Sequence, residues 1–334
     1  MSKVALFSDL HLGIYGNSQE WHKVALNWAD WIVKDLKKRG IKECWFLGDF
    51  FHNRSEISVQ TVHVATEIMD KFKDHDMIMI VGNHDAYYKN RADIHSLGLM
   101  KGHKNIKIVD TNYETIRDSK KCLFVPWNSE LPDKEYDYIF GHFEIQSFKM
   151  NNFKVCDHGL SPMDLLEKRT SKVFSGHFHN RNSKTYKEGD IYYIGNTFPM
   201  DFSDEANEKG YHILDLVNDE LTFIKNPVSP KYIKVYFSKI DKYEEDDIKN
   251  NIIKVVFDEE ISLDESEKIK LRLMKWHPFQ TFTEFSFSSD KLGEVEQIDS
   301  FELSEMFDEF IDDLKPKRKK NIKTIIEELY GKHK

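Results

Sequence analysis

The stretch that is most informative about the fold is KVALFSDLH, at residues 3–11. It begins with a nearly continuous apolar run, which is typical of a strand that is covered on both faces. It ends in the polar side chains of Asp9 and His11. Active sites of layered α/β proteins lie where such strands end. The stretch therefore predicts a buried strand that leads directly into a functional site.

Four further segments have the same arrangement, with a short apolar run followed by a glycine and polar residues. They are Gly48-Asp49-Phe50-Phe51-His52, Gly82-Asn83-His84-Asp85, Gly141-His142 and Gly176-His177-Phe178-His179. The five segments together offer seven candidate metal ligands: Asp9, His11, Asp49, Asn83, His142, His177 and His179. Any one of these histidines alone is more often an ordinary polar group. Five motifs at strand ends favour one shared site, and their glycines allow the backbone to turn sharply beside it.

The residue types in this set indicate which metals the site would prefer. Asp, Asn and His together suit Mn, Fe or Zn better than Mg or Ca, which prefer oxygen ligands alone. Seven ligands are too many for one tetrahedral ion. Two ions about 3.5–4 Å apart that share a carboxylate would use all seven and could bind a phosphoryl group between them. The ligand count therefore predicts a two-metal phosphoesterase.

The hydrophobic pattern predicts strand, helix, strand, helix, strand over the first 85 residues. The first helix is expected to begin at an Asn17 cap, with Glu20 completing a capping box, and to end at Gly40. Its tryptophans at 21, 28 and 31 recur at helical spacing, so they are expected to cover a sheet. One helix is expected at 161–168. A second sheet packed on the first is predicted by short strand-like pieces at 106–109, 122–125, 138–140, 173–175, 184–186, 191–194, 211–215 and 221–224.

The pattern changes near Pro227 and Pro230. Residues 231–287 again predict strand, helix, strand, helix, strand, which fits a small accessory domain. A polar linker and two short amphipathic helices, at 303–312 and 317–330, are expected to follow. The run of bases at 315–320 could bind DNA phosphates or an acidic partner, or could form a solvated start of the second helix.

Composition limits the class of protein. The net charge is −9, which does not by itself indicate a nucleic-acid binder, but bound metals can hold phosphate without a basic surface. No apolar run approaches the roughly 20 residues that a membrane helix needs, and a strand begins too early to leave room for a secretory signal. The three cysteines are far apart and are expected to be buried thiols. A cytoplasmic protein is therefore expected.

At its motifs the sequence resembles the calcineurin-like metallophosphoesterases, whose pattern is D-x-H, G-D-x-x, G-N-H-D/E, a later G-H and G-H-x-H. The segment 48–52 is similar to the nuclease branch, and it lacks the Gly-Asp-x-Val-Asp-Arg-Gly of protein phosphatases. The likeness is to the SbcD-type nuclease of double-strand-break repair, and is closer still to the recombination endonuclease subunits of tailed phages. The stretch Gly195-Asn196-Thr197-Phe198-Pro199 also resembles the segment after the last ligands that shapes the nuclease cleft.

The resemblance implies an α/β fold: a two-sheet α/β/β/α metallophosphoesterase sandwich with a small α+β capping domain and a C-terminal helical tail. The implied divisions are a nuclease domain at 1–228, a capping domain that positions DNA at 231–288, a linker at 289–302 and ATPase-binding helices at 303–331.

The resemblance also implies a role for each site residue. One divalent ion would be held by Asp9, His11 and His179, and a second by Asn83, His142 and His177, with Asp49 bridging the two. The ions would most simply be Mn, with Mg, Fe or Zn as alternatives. His84 would stay free of metal and protonate the leaving 3′ oxygen as a general acid. Asp85 could orient the His84 ring. His52 would either contact the phosphate or have an auxiliary role without direct contact with the phosphate.

The implied function is a DNA nuclease, acting as an exonuclease on duplex ends and an endonuclease on single strands, in recombination, double-strand-break repair and replication. Its implied partners are DNA, an SMC-like ATPase of the SbcC type bound through 303–331, and a second copy of the chain in a homodimer; no membrane is involved. Two alternatives stay open: a phosphodiesterase or phosphatase of small molecules, and a non-catalytic scaffold on the same fold. The tail helices could instead fold back on their own domain.

Overall fold

The computed structural model describes residues 2–150, 154–167, 169–205 and 207–286. The predicted linker at 289–302 and the predicted helices at 303–331 lie outside this part of the chain. Residues up to Ser286 form one compact unit, so the division proposed near residue 230 stays a prediction. Strands and helices are numbered in chain order.

The first sheet has six strands and contains the predicted strand at residues 3–7. In order across the sheet they are β12 (Glu220–Lys225), β11 (Gly210–Asp215), β1 (Lys3–Phe7), β2 (Glu43–Phe46), β3 (Asp76–Ile80) and β4 (Ile106–Val109). Strands β1 to β4 run parallel, and β11 and β12 add an antiparallel edge. The strand–helix order predicted for the first 85 residues is confirmed.

The second sheet also has six strands. In order they are β5 (Tyr113–Arg117), β6 (Lys120–Val125), β7 (Tyr138–His142), β8 (Lys172–Gly176), β10 (Asp190–Tyr193) and β9 (Asn182–Thr185). The prediction of a second sheet is confirmed, but its membership was partly wrong. Strands β4, β11 and β12 pair with the first sheet, because hydrophobic pattern does not reveal which partner a strand will choose. The half-exposed β5 was not predicted at all.

The helices flank these sheets. They are α1 (Ile14–Asn17), α2 (Gln19–Arg39), α3 (Val59–Lys71), α4 (Pro162–Leu166), α5 (Glu245–Ile248) and α6 (Leu263–Met274), with short 3₁₀ turns at Ser96–Met100, Phe202–Asp204 and Phe237–Lys242. Helix α2 ends at a left-handed Gly40, as predicted. Its predicted Asn17 cap was wrong: Ser18 precedes the helix, and the Asn17 amide oxygen instead accepts a hydrogen bond from Thr61.

The hydrophobic core has three layers: one on the outer face of the first sheet, one between the two sheets and one on the outer face of the second sheet. Helices α2 and α3 cover the outer face of the first sheet, where Trp21 and Trp28 are buried as expected. Trp45 lies between the sheets, with its ring centroid 4.7 Å from Phe140 and 5.1 Å from Phe124. Helix α4 covers the outer face of the second sheet through Leu165. The predicted α/β/β/α sandwich is confirmed, and the three cysteines are buried free thiols.

A third, smaller sheet follows at the predicted place. Its strands β13 (Tyr232–Tyr236), β14 (Ile252–Phe257) and β15 (Gln280–Phe285) are all parallel. Tyr232 anchors it to the sandwich, because its hydroxyl donates to the Met200 carbonyl oxygen at 2.6 Å and its ring stacks on Trp21. Within the described residues, no helix combines the length and apolar character needed to cross a membrane.

Candidate metal centre

The predicted ligands lie where strands of both sheets end. Asp9 and His11 follow β1, Asp49 follows β2, and Asn83 follows β3 of the first sheet, while His142 ends β7 of the second. The backbones of the first two turns are joined, since the Asp9 amide donates to the Gly48 carbonyl oxygen at 3.0 Å. The two sheets thus face each other at this edge, and all seven predicted ligands come together there.

One group of donors comprises Asp9, His11 and His179, whose ligand atoms all lie within 4.8 Å of one another. The Nε2 atoms of His11 and His179 are 3.0 Å apart. The Asp9 carboxylate lies 3.9 Å from His11 Nε2 and accepts the backbone N–H of His177 at 3.2 Å. This is the set that the motifs predicted for the first ion.

A second group comprises Asp49, His142 and His177, again with ligand atoms within 4.8 Å of one another. Asn83 joins it, because its Oδ1 lies 2.9 Å from both His142 Nε2 and His177 Nδ1. His142 is held from the other side, where its Nδ1 donates to the Leu47 carbonyl oxygen at 2.7 Å. In the neutral ring this bond leaves the lone pair on Nε2, which faces the group.

Asp49 lies between the two groups. Its Oδ2 is 3.7 Å from His11 Nε2 and 3.2 Å from His142 Nε2. Its Oδ1 accepts the backbone N–H of His84 at 2.8 Å. One carboxylate oxygen therefore faces both sets of histidines while the other is fixed by the protein backbone.

Two glycines make this close approach possible. A Cβ on Gly82 would lie 2.2 Å from Asp49 Oδ1, and a Cβ on Gly48 would lie 2.4 Å from His142 Nδ1. Gly48 also has a φ of +98°, which favours glycine. The glycines beside the ligands are therefore needed to bring ligands from different strands together.

The charges within the centre are strongly coupled. Burial alone would raise the pKa of Asp49, but the attraction and the hydrogen bond from His142 hold that pKa well below its usual range. Burial would lower the pKa of His142, whereas the Asp49 carboxylate raises it to about 9. Burial lowers the pKa of His11 well below the usual value. The Asp49 carboxylate thus favours a proton on His142, which a metal ion at this centre would have to displace.

His84 and His52 lie beside the first group. The rings of His84 and His52 stack with their centroids 5.5 Å apart, and His84 meets the His11 ring edge at 4.7 Å. His84 Nδ1 donates to the backbone carbonyl oxygen of His52 at 2.6 Å. The ring orientation of His84 is thus set by a backbone carbonyl, and its Nε2 is the nitrogen left for other partners.

Asp85 does not orient His84 in the way that the sequence suggested. Its buried carboxylate accepts four backbone N–H groups, from Asp49 at 2.8 Å, Phe50 and Phe51 at 3.0 Å, and Gly82 at 3.1 Å. Burial and the neighbouring Asp49 raise the pKa of Asp85 to about 7, against the effect of these donors. Asp85 therefore fastens the turn after β2 to the turn after β3, because four N–H donors leave its carboxylate no free position for a ring.

Sequence reasoning missed three residues that support the centre. Glu144 Oε1 lies 3.3 Å from His177 Nε2. Trp127 packs its ring 5.3 Å from that of His177. The buried Lys209 pairs with Asp204 at 2.5 Å and donates to the backbone carbonyl oxygen of His179 at 2.7 Å. Glu144 had a usable signal, since it lies two residues after His142 in extended chain, where side chains point to the same side.

The donor set fits divalent metal ions. Asp9, Asp49 and Asn83 supply oxygens, and four histidines supply nitrogens, all aimed at one small volume. Such a set suits borderline metals of the Mn, Fe and Zn type. Buried carboxylates and imidazoles crowded in this way need a cation or a shared proton to balance their repulsion.

Known proteins and solved structures include matches to this chain. No family model matches the chain. The chain is similar to Exonuclease subunit 1 of Enterobacteria phage T4, with 27% identity over 271 residues that cover 77% of each chain. Among solved structures it aligns with an archaeal phosphodiesterase (TM-score 0.38, 13% identity, 67% of this chain and 99% of the other). It also aligns with a hypothetical protein from Pyrococcus horikoshii OT3 (TM-score 0.40, 13% identity, 67% and 88%).

The phage relative agrees with the resemblance that the motifs carried to nuclease subunits of tailed phages. The fold class is confirmed by the two large sheets and the third small one. The roles assigned to individual residues, the identity of the ions and the partners stay predictions.

Proposed function

We propose that this chain is a metal-dependent phosphodiesterase that cleaves DNA, as an exonuclease on duplex ends and an endonuclease on single strands. The observation that carries the proposal is the convergence of seven donors from five segments at one centre, with Asp49 between its two groups, in a chain similar to a phage exonuclease subunit. The scaffold alternative would be favoured by lost ligands, but every predicted ligand is present and faces the centre.

The proposed centre holds two ions, with Mn as the first choice. Asp9, His11 and His179 would hold one, Asn83, His142 and His177 the other, and Asp49 would lie between them. The proposal is supported by Asp49 Oδ2, which lies within 4 Å of a histidine nitrogen from each group. When bound, the ions would neutralise the phosphate and supply a water nucleophile at neutral pH.

The chain's own residues would position the substrate and move one proton. His84 is proposed as the general acid for the leaving 3′ oxygen. With Nδ1 donating to the His52 carbonyl oxygen, Nε2 is the atom that would carry and release the proton. His52, stacked on His84, would contact the phosphate from the same side.

The wider assignment rests on the phage relative, whose name makes it one subunit of an exonuclease. We propose that this chain likewise works with a partner, an SMC-like ATPase bound through 303–331, in recombination, break repair and replication of phage DNA. A homodimer and a location in the host cytoplasm belong to the same proposal. The three-stranded sheet would position DNA as a capping domain.

The test is a nuclease assay on the purified full chain with Mn. Substrates would be end-labelled duplex DNA, single-stranded DNA and bis-p-nitrophenyl phosphate, each with and without the ATPase. We expect metal-dependent DNA cleavage that Asp49→Asn abolishes, because Asp49 faces both groups. The exposed control Asp93→Asn should cleave like the wild type. Hydrolysis of the small diester without any DNA cleavage would instead favour a small-molecule phosphodiesterase.

A further inference from the structure

Glu144 contacts the metal centre from outside. Its carboxylate Oε1 lies 3.3 Å from Nε2 of His177, and the other nitrogen of the same ring, Nδ1, lies 2.9 Å from Asn83 Oδ1. Among the described residues, the ligand groups that cluster within 4.8 Å include His177 but not Glu144. The imidazole of His177 therefore separates the Glu144 carboxylate from the remaining donors.

The two contacts decide which nitrogen of His177 can bind a metal. A neutral imidazole has one N–H and one lone pair, and an ionised carboxylate only accepts hydrogen bonds. A carboxylate at Nε2 therefore places the proton on Nε2 and leaves the lone pair on Nδ1. That lone pair faces Asn83 and the second group of donors. Asn83 Oδ1 is also an acceptor and competes for the proton at Nδ1, but a carboxylate is charged and is therefore a stronger acceptor than an amide oxygen. Without Glu144, the Asn83 oxygen would favour the Nδ1–H tautomer.

The neighbouring loop holds Glu144 in place. The Leu160 amide donates to the Glu144 carbonyl oxygen at 2.9 Å. A Cβ on Gly159 would lie 2.4 Å from that oxygen and 2.8 Å from Glu144 Cβ, and Gly159 has a φ of +80°. The loop can therefore pack this closely against Glu144 only with glycine at 159.

His158 supports the carboxylate from the side away from the centre. Its Nε2 lies 3.7 Å from Glu144 Oε1, and its Nδ1 lies 3.0 Å from Asp157 Oδ1. The His158 side chain is 48% exposed, so its attraction for Glu144 is screened by solvent. His158 therefore limits the movement of the Glu144 carboxylate and contributes little to the stability of the folded chain.

We propose that Glu144 is a positioning residue that fixes His177 as an Nδ1 ligand of the second metal ion. Histidine ligands commonly donate their other N–H to a carboxylate, and loss of that acceptor typically costs 10–100-fold in metal affinity. The metal part of this inference rests on the proposed function. The tautomer part concerns the metal-free protein and stands independently of it.

The first experiment measures Mn²⁺ binding to the full chain by isothermal titration calorimetry after removal of metal with a chelator. Glu144→Ala should lower the affinity for one of the two Mn²⁺ ions about 10–100-fold and leave the affinity for the other unchanged. Glu144→Gln keeps an acceptor oxygen, so its loss of affinity should be smaller than that of Glu144→Ala. The exposed Glu188→Gln, in the turn between β9 and β10, is the matched control and should bind like the wild type. Wild-type affinities for both ions in the Ala variant would overturn the proposal.

The second experiment reads the His177 tautomer in the metal-free protein by long-range ¹H–¹⁵N correlation, with His177→Asn to assign the signal. The wild type should carry its proton on Nε2, and Glu144→Ala should show a mixture or the Nδ1–H form. An unchanged Nε2–H form would refute the positioning role. If Glu144→Ala does not fold, Glu144→Met, which keeps the length of the side chain without an acceptor oxygen, decides both readouts. A wild type that binds fewer than two ions would refute the two-ion proposal, while the tautomer would still test Glu144.

Discussion

Four of the seven predicted ligands have left-handed backbone conformations that are rare for residues other than glycine. Asp9, His11, Asp49 and His177 have φ values of 55°, 47°, 60° and 88°. Each costs about 1–3 kcal/mol and persists only when surrounding contacts enforce it, which is common at functional sites. The side chains point into one centre because the turns after β1, β2 and β8 accept this strain.

At the residue scale, His84→Ser tests the proposed general acid. The variant should keep two bound Mn²⁺ ions and lose DNA cleavage by about 10²–10⁴-fold, because serine cannot donate a proton at neutral pH. Calorimetry and a single-turnover assay measure the two properties. His63→Ser, an exposed histidine on α3, is the control. Near-normal turnover would remove His84 from the mechanism, and a lost ion would make it a ligand.

A second residue-scale prediction concerns His212 on β11. Burial, with a contribution from Arg181, lowers the pKa of His212 to about 3. The unfolded chain would take up this proton near the ordinary value of about 6.5, while the folded chain would not. Stability should therefore fall as the pH falls below about 6.5, by about 2 kcal/mol between pH 7 and pH 5.

Urea unfolding of the wild type and of His212→Phe at both pH values measures this contribution as a difference. Phenylalanine is a somewhat larger aromatic residue that cannot take up a proton, so the variant should lose about 2 kcal/mol less on acidification than the wild type. Equal losses in the two proteins would show that His212 can be protonated in the folded state.

At the scale of secondary-structure elements, Asp85 connects the ends of β2 and β3. Asp85→Asn replaces one carboxylate oxygen with an NH₂ group that faces backbone N–H donors. Above the Asp85 pKa of about 7, where the carboxylate is charged, we expect a loss of about 2–3 kcal/mol of stability, since hydrogen bonds to charged acceptors are strong and buried donors would lose their partner. Urea unfolding measures it, with the exposed Asp133→Asn as control. Equal stability of the two variants would argue against the connecting role.

The ion pair of Asp204 and Lys209 has a similar role between the start of β11 and the loop that carries His179. Both side chains are buried, and the Lys209 ammonium also donates to the His179 carbonyl oxygen. Asp204 accepts the Met200 amide at 2.8 Å as well. This pair links the sandwich core, the metal centre and the segment at Met200, to which Tyr232 of the three-stranded sheet is hydrogen-bonded.

At the scale of the whole molecule, the tail is predicted to bind the ATPase partner. Deletion of 300–334 should abolish co-purification with a co-expressed SbcC-type ATPase from the same genome. It should spare Mn-dependent cleavage of single-stranded DNA, because all seven predicted ligands precede residue 180. In the full chain, Phe307→Asp with Phe310→Asp should act like the deletion, and Glu309→Gln should not. Retained association in the deleted protein would contradict the prediction.

The sequence by itself determined the strand–helix order, the two-sheet class and the seven candidate ligands. These depend on local information: an apolar run predicts a buried strand, and a glycine followed by polar residues predicts a turn at its end. The end of α2 at Gly40 was predicted for the same reason.

Only the tertiary structure decided how these pieces meet. Strands β4, β11 and β12 join the first sheet because pairing depends on long-range hydrogen bonds that local pattern does not encode. The sequence suggested that Asp85 orients the adjacent His84. In the structure its carboxylate instead accepts backbone N–H groups of the turns after β2 and β3. Glu144 lies against His177 across 33 residues of chain. Buried polar groups almost always form hydrogen bonds, and their partners are the groups that the tertiary structure places beside them. Those partners are often distant in sequence, so the local pattern does not reveal them.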